Sequence, residues 1–173
     1  SFPFSILGSP SDSSESFMTN LNSDVNWVTK FILSNREDSM EINIFETQFP
    51  MSSILHGGEK EVLELFQSAD TKVSTILRND GMIFYELPII SADMDLIQIF
   101  IESISNYNHS VREVKISTMP NRCGFKLRCG GVTADAFPSV EEVANIVELC
   151  QNSGVPIKAT AGLHHPIRHF NRE

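Results

Sequence analysis

Two lysines in the last third of the chain have the setting of reactive amines. Lys126 lies in the apolar segment 124–131 and Lys158 in the segment 156–166, and each of these segments ends in small residues. The stretch 139–150 between them has helical periodicity, so we predict a strand–helix–strand unit with one lysine on each strand. Parallel α/β folds place their chemistry at the C-terminal ends of the strands, where the two amines would share one site. Two neighbouring ammonium groups repel each other, which favours loss of a proton from one amine and makes it a nucleophile.

Two glutamates are the expected partners of these lysines. Glu86 stands at the end of the third predicted strand, and we expect it to hold a lysine as ammonium and to pass protons during imine formation. Glu46 has the matching position in the second predicted strand and is expected to contact the substrate. Ion pairs that only stabilise a barrel are the alternative interpretation of this arrangement.

Arg128, Gly130 and Gly131 form the expected anion-binding part of the site. Arg128 alternates with Lys126 on one face of its strand, and its guanidinium is suited to bind a carboxylate or phosphate with two hydrogen bonds. The two glycines could bring backbone N–H groups close to an anion, or they could simply form a tight turn.

Histidines follow the last predicted strand. His164 and His165 are expected to contact the substrate by hydrogen bonding. Adjacent residues of an extended chain point apart, and Pro166 opposes the helix that would align His165 with His169. We therefore predict no metal site, and nothing in the sequence calls for a cofactor.

Strand-like and helix-like segments alternate along the chain. This alternation predicts an α/β fold of parallel βα repeats. Five units are visible, whereas a complete barrel has eight, so we expect one domain over residues 1–173 that is an incomplete or fragmentary TIM-type barrel, incomplete at its C-terminus. An open flavodoxin-like sheet is the alternative. The predicted strands are residues 3–8, 40–47, 81–87, 125–129 and 155–160, and the predicted helices are residues 24–33, 59–68, 93–104 and 139–150.

Composition narrows the classes of function. The formal net charge of -9 and the absence of clustered basic residues argue against a nucleic-acid binder. No apolar run approaches the roughly 20 residues of a membrane span, so no membrane partner is predicted. The three cysteines show no CxxC spacing, and a reducing cytoplasm suits them best. Assembly into a homo-oligomer is left open.

The two lysine segments resemble known families. Residues 157–163 look like the Schiff-base strand of class I aldolases of the deoxyribose-phosphate type, in which a lysine is followed by small and hydroxylated residues and a glycine. The K-x-R-x-G-G motif at 126–131 and the K-A-T-A-G-L-H-H-P motif at 158–166 also resemble a family of uncharacterised bacterial proteins. The aldolase resemblance implies a lyase that binds a small carbonyl substrate as a lysine imine. A non-catalytic α/β protein that binds a small anionic ligand is the alternative.

Overall fold

Five strands alternate with four helices along the part of the chain that the structure describes. The computed structural model describes residues 2–35, 40–88, 94–114, 123–131 and 137–161. The alternation of strand and helix predicted from the sequence is confirmed. In chain order, the elements are β1 (Phe2–Leu7), α1 (Ser14–Ser34), β2 (Met40–Gln48), α2 (Met51–Val73), β3 (Leu77–Glu86), α3 (Met94–Val114), β4 (Cys123–Arg128), α4 (Val140–Asn152) and β5 (Ile157–Thr160).

The strands form one parallel sheet whose order follows the chain, β1-β2-β3-β4-β5. This order is that of consecutive βα units in a barrel, whereas the alternative flavodoxin-like sheet has the order 2-1-3-4-5. A flat sheet would hold β2 and β5 about 14 Å apart. Side chains of these two strands are nevertheless ion-paired, Glu46 with Lys158. The sheet is therefore curled, as a half-barrel.

The helices cover the convex face of the sheet. Right-handed crossovers that always advance in the same direction place every helix on the same side, and each helix packs against the next. Alternate strand residues point into this layer and are fully buried there, among them Phe45, Ile83 and Phe125. The remaining strand residues face the concave side, where polar groups are concentrated.

A cluster of aromatic rings fills the space between sheet and helices. Phe49 is central to it, because its ring lies 5.2 Å from that of Phe66, 4.8 Å from that of Phe100 and 5.7 Å from that of Tyr85. All four side chains are fully buried. This rigid packing fixes the positions of β2 and β3, from which the candidate site takes its two carboxylates.

Two helices begin earlier than the sequence predicts. Helix α1 starts at Ser14, because the Ser13 hydroxyl accepts from the backbone N–H of Ser16 and the Ser16 hydroxyl accepts from that of Ser13. The polar stretch 11–16, whose composition predicts a loop, is therefore helical from Ser14 onwards. Helix α2 starts at Met51 and continues past a kink at Gly58, where φ is 67°. Only glycine adopts this conformation without strain. The turn that the sequence predicts at residues 56–58 is therefore a kink within the helix.

The last helix begins where the sequence predicts. A serine with a glutamate three residues later predicts a capping box. Ser139 and Glu142 form it, with the Glu142 N–H donating to the Ser139 hydroxyl and the Ser139 N–H donating to the Glu142 carboxylate. A capping box satisfies two backbone donors that the first turn leaves without partners. It fixes the start of α4, the helix that connects the two lysine strands.

The described helices and the cysteines concern two predictions, namely the absence of a membrane span and a reducing environment. Within the described ranges, none of the helices combines the length and the apolar composition that a membrane crossing requires. Cys123, Cys129 and Cys150 are all buried, and no disulfide joins them. Burial raises the pKa of the Cys150 thiol to about 12, which makes it a poor nucleophile.

Candidate functional site

The two predicted lysines are register partners at the concave face. Lys126 on β4 pairs with Lys158 on β5, and Glu86 on β3 pairs with Lys126. Register partners on neighbouring parallel strands point to the same face of a sheet. The residues that flank Lys126, namely Phe125 and Leu127, are buried on the helix side. Three of the predicted site residues are thus aligned in one row across the concave face.

Glycine makes room for this row at its base. A Cβ on Gly124 would lie 2.5 Å from a ring carbon of Phe84 and 2.7 Å from the carbonyl oxygen of Pro156. The second of these atoms belongs to the backbone, and it accepts the N–H of Phe125 at 2.8 Å. Gly124 therefore lets β3, β4 and β5 come together directly below the lysines.

Lys126 is enclosed between two carboxylates. Its Nζ lies 3.1 Å from Oε2 of Glu46 and 2.8 Å from Oε2 of Glu86. Only 8% of the Lys126 side chain is exposed. The side chains of Glu46 and Glu86 are 10% and 14% exposed, respectively. A buried ammonium needs such partners, because desolvation of an unpaired charge is costly.

Glu46 joins the two lysines. Its Oε1 lies 2.6 Å from Nζ of Lys158 and accepts the hydroxyl of Ser5 at 2.5 Å, while its Oε2 faces Lys126. Burial by itself raises the pKa of Glu46, but the hydrogen bonds from Lys158, Ser5 and Lys126 outweigh burial and lower the pKa from 4.5 to about 2. Glu46 is therefore a permanent anion at neutral pH.

The two carboxylates are not at matching positions, and this part of the sequence interpretation is wrong. Glu46 is the register partner of Phe84, and Gln48 is the register partner of Glu86. Glu46 thus stands one layer below Glu86 on the concave face. Because of this offset, the two carboxylates approach Lys126 from different levels, and the lower one also reaches Lys158.

The two lysines differ in their access to solvent. Within the described part of the chain, the side chain of Lys158 is 26% exposed and pairs with one carboxylate, whereas that of Lys126 is 8% exposed and pairs with two. The carboxylate in contact with Lys158 is Glu46 and not Glu86, to which the sequence assigned the proton-transfer role. Lys158 is the amine that a ligand entering the concave face can approach.

Arg128 extends the row of charges to the rim. Its Nη1 lies 3.7 Å from Oε1 of Glu86, and its Nε donates to the carbonyl oxygen of Gly130 at 3.0 Å. The side chain is 56% exposed. Gly130 thus contacts Arg128 through its carbonyl group, and both Gly130 and Gly131 follow the end of β4. With Glu46 from the layer below, the charged row comprises five ion-paired side chains. Their charges alternate in sign, in the order Lys158, Glu46, Lys126, Glu86 and Arg128.

Ser5 is a site residue that the sequence interpretation did not identify. Its hydroxyl donates to Glu46 and lies 3.5 Å from Nζ of Lys158. The signal was a single hydroxyl residue in the otherwise apolar strand β1. A polar residue at the middle of such a strand must face a polar interior, and here that interior is the charged row.

The predicted histidine contacts lie outside the described residues. This applies to His164 and His165, and also to His169. Among the side chains that the structure describes, no group of three or more His, Cys, Asp or Glu is placed to hold a metal ion.

The comparisons with known proteins add no relative: no family model, no curated protein and no solved structure matches this chain.

Proposed function

We propose that the protein is an aldolase-like lyase that binds a small carbonyl substrate as an imine of Lys158. The observation that carries this proposal is the position of Lys158, a partly exposed amine 2.6 Å from an anion and in register with a second, buried lysine. A single exposed lysine would have neither the nearby carboxylate nor the second lysine. The C-terminal mouth of a parallel βα sheet is also where enzymes of this architecture bind their substrates.

The charge balance of imine formation suits this setting. The amine nitrogen of Lys158 forms a bond to the carbonyl carbon, and the carbonyl oxygen leaves as water with two protons of the original ammonium. A protonated imine with one positive charge remains, so the net charge of the site does not change. Glu46, with its pKa of about 2, is too weak a base to store a proton and acts as the counter-ion of both the ammonium and the imine.

Lys126 and Glu86 have supporting roles in this proposal. The Lys126 ammonium lies on the opposite oxygen of Glu46 and holds that carboxylate in place. Glu86 in turn holds Lys126 and lies near Arg128. In the protonated imine, electrons of a bond next to the former carbonyl carbon can flow towards nitrogen, which is the basis of carbon–carbon bond cleavage in a lyase.

Reductive trapping tests the proposal. The protein is incubated with small aldehydes and ketones and with borohydride, and the mass of each peptide is measured. We expect an adduct on Lys158, which the Lys158→Met variant loses. The matched control is Lys60→Met, since Lys60 is 89% exposed on α2 and pairs with Glu64, away from the candidate site. Adducts spread equally over exposed lysines such as Lys60, or no adduct with any carbonyl compound, would contradict the proposal.

A second candidate is a non-catalytic protein that binds a small anionic ligand. It is favoured by the pairing of all five charged groups, since neither Lys126 nor Lys158 lacks a carboxylate partner. Such a network stabilises a barrel interior without any reaction. Reversible binding of small anions in calorimetry, together with no trapped adduct, would favour this second candidate over the first.

A further inference from the structure

Charge imbalance at the concave face indicates what kind of carbonyl compound the site takes. Among the side chains that the structure describes, three cations, Lys126, Arg128 and Lys158, are arranged with two carboxylates, Glu46 and Glu86. The row therefore has one positive charge in excess. Because imine formation leaves the charge on Lys158 unchanged, this excess persists throughout the proposed reaction. A substrate with one negative charge would balance it.

Arg128 is the group with free binding capacity. The lysines are held at 2.6 to 3.1 Å by their carboxylates, whereas the closest approach of Arg128 to Glu86 is 3.7 Å. Nε is used by the Gly130 carbonyl oxygen. Among the described residues, Nη2 of Arg128 has no partner, and more than half of this side chain is exposed. Its guanidinium can thus turn an edge towards an anion without breaking a short ion pair.

Arg128 and Lys158 are also close enough for one small molecule to reach both. Arg128 is the register partner of Thr160, which is two residues beyond Lys158 on the neighbouring strand. Two residues along a strand span about 6.6 Å, and neighbouring strands lie about 4.8 Å apart. A compound with its carbonyl group at Lys158 and an anionic group a few bonds away would therefore contact Arg128.

We infer that the substrate is a short oxo acid, whose carboxylate lies on Arg128 while its carbonyl carbon reacts with Lys158. A carboxylate carries the single negative charge that the row lacks, whereas a phosphate ester would bring up to two. This inference rests on the proposed imine chemistry. It adds the charge of the substrate and the residue that selects it.

Trapping with matched pairs of carbonyl compounds tests the inference. Pyruvate is compared with its neutral methyl ester, and glyoxylate with neutral glycolaldehyde, while dihydroxyacetone phosphate represents phosphate esters. We expect half-maximal trapping on Lys158 at concentrations about tenfold to a hundredfold lower for the oxo acids than for their neutral partners. Arg128→Gln should abolish this preference but retain adduct formation with the methyl ester.

The matched control is Arg78→Gln. Arg78 is 44% exposed and pairs with Glu41 and Asp80. It lies near the N-terminal end of β3, whereas the candidate site lies at the C-terminal ends of the strands. The Arg78→Gln variant should leave the preference for oxo acids unchanged. Equal trapping of charged and neutral compounds, stronger trapping of the phosphate ester, or a preference that persists in Arg128→Gln would overturn the inference and leave the imine proposal standing. The absence of every adduct would overturn both.

Discussion

Lys158 Nζ lies 2.6 Å from Glu46 Oε1, so a side chain of the last strand is ion-paired with a side chain of the second strand, 112 residues earlier in the chain. The two strands are separated in the sheet by β3 and β4. This contact makes Glu46 common to both lysines. The stability of the half-barrel and the chemistry of its concave face therefore depend on the same carboxylate.

Glu46 should make stability depend on acidity. The pKa of Glu46 is 4.5 in its ordinary state and about 2 in the folded protein, so its contribution is complete above about pH 4.5 and is lost as the pH falls towards 2. The contribution is on the order of 3 kcal/mol. Urea unfolding followed over this range should show a steeper loss of stability for the native chain than for Glu46→Gln. The control is Glu41→Gln, since Glu41 lies on the same strand but pairs with Arg78. Parallel curves for Glu46→Gln and the native chain would contradict this prediction.

Ser5 should set part of the acidity of Glu46. Removing its hydroxyl in Ser5→Ala deletes one of the donors to Oε1. A hydrogen bond to a charged group is worth about 1.5 kcal/mol or more, so we expect the pKa of Glu46 to rise by about one unit. Carbon-detected NMR titration of the side-chain carboxyl measures it. Ser5→Thr keeps a hydroxyl and should restore the low pKa. An unchanged titration in Ser5→Ala would show that the contact is not energetically significant.

The two lysines should differ in their structural importance. Lys126→Met leaves Glu46 and Glu86 without the ammonium that lies between them, and removal of one partner from a buried pair costs about 3 to 5 kcal/mol. Lys158→Met affects a more exposed pair, and its cost should be about 1 kcal/mol. Denaturant unfolding of both variants measures the difference. Equal losses of stability would contradict the assignment of Lys126 as the supporting cation.

Asn108 should hold the start of β4. Its side-chain amide donates to the carbonyl oxygen of Cys123 and its carbonyl oxygen accepts the N–H of the same residue, each at 2.9 Å in the buried core. Asn108→Ala leaves both backbone groups buried without these partners, at a cost of about 2 to 3 kcal/mol. Thermal unfolding measures this loss. Asn106→Ala is the control on the same helix, since Asn106 makes an exposed contact with Glu59 and should change stability little. A similar effect of both substitutions would count against the prediction.

Gly124 should not tolerate a side chain. Gly124→Ala places a methyl group against the Phe84 ring and the Pro156 carbonyl oxygen, and relief would require a shift of backbone between β4 and β5. We expect a loss of about 1 to 3 kcal/mol. Adding Phe84→Leu relieves only the contact with the ring and should recover part of this loss. Full stability of Gly124→Ala in urea unfolding would show that the strands separate more easily than the structure indicates.

The sequence by itself determined the repeating architecture of this protein and the faces of its strands. Apolar strands joined by helical segments predicted parallel βα units, since each pattern has its own period. The capping box of Ser139 and Glu142 was also predictable, because it depends on residues three positions apart. The same period-two alternation placed Lys126 and Arg128 on one face of β4, and the structure has both there.

Only the tertiary structure decided how far the strands are shifted and how strongly the sheet curls. Register irregularities occur between Phe4 and Ser5 and between Ile42 and Ile44, and no local pattern reveals them. Such irregularities shift all later residues of a strand relative to its neighbour. For this reason the sequence interpretation wrongly placed Glu46 and Glu86 at matching positions. The curl of the sheet brings Lys158 to Glu46. It results from the packing of the helices against all five strands, so no single segment of the sequence predicts it.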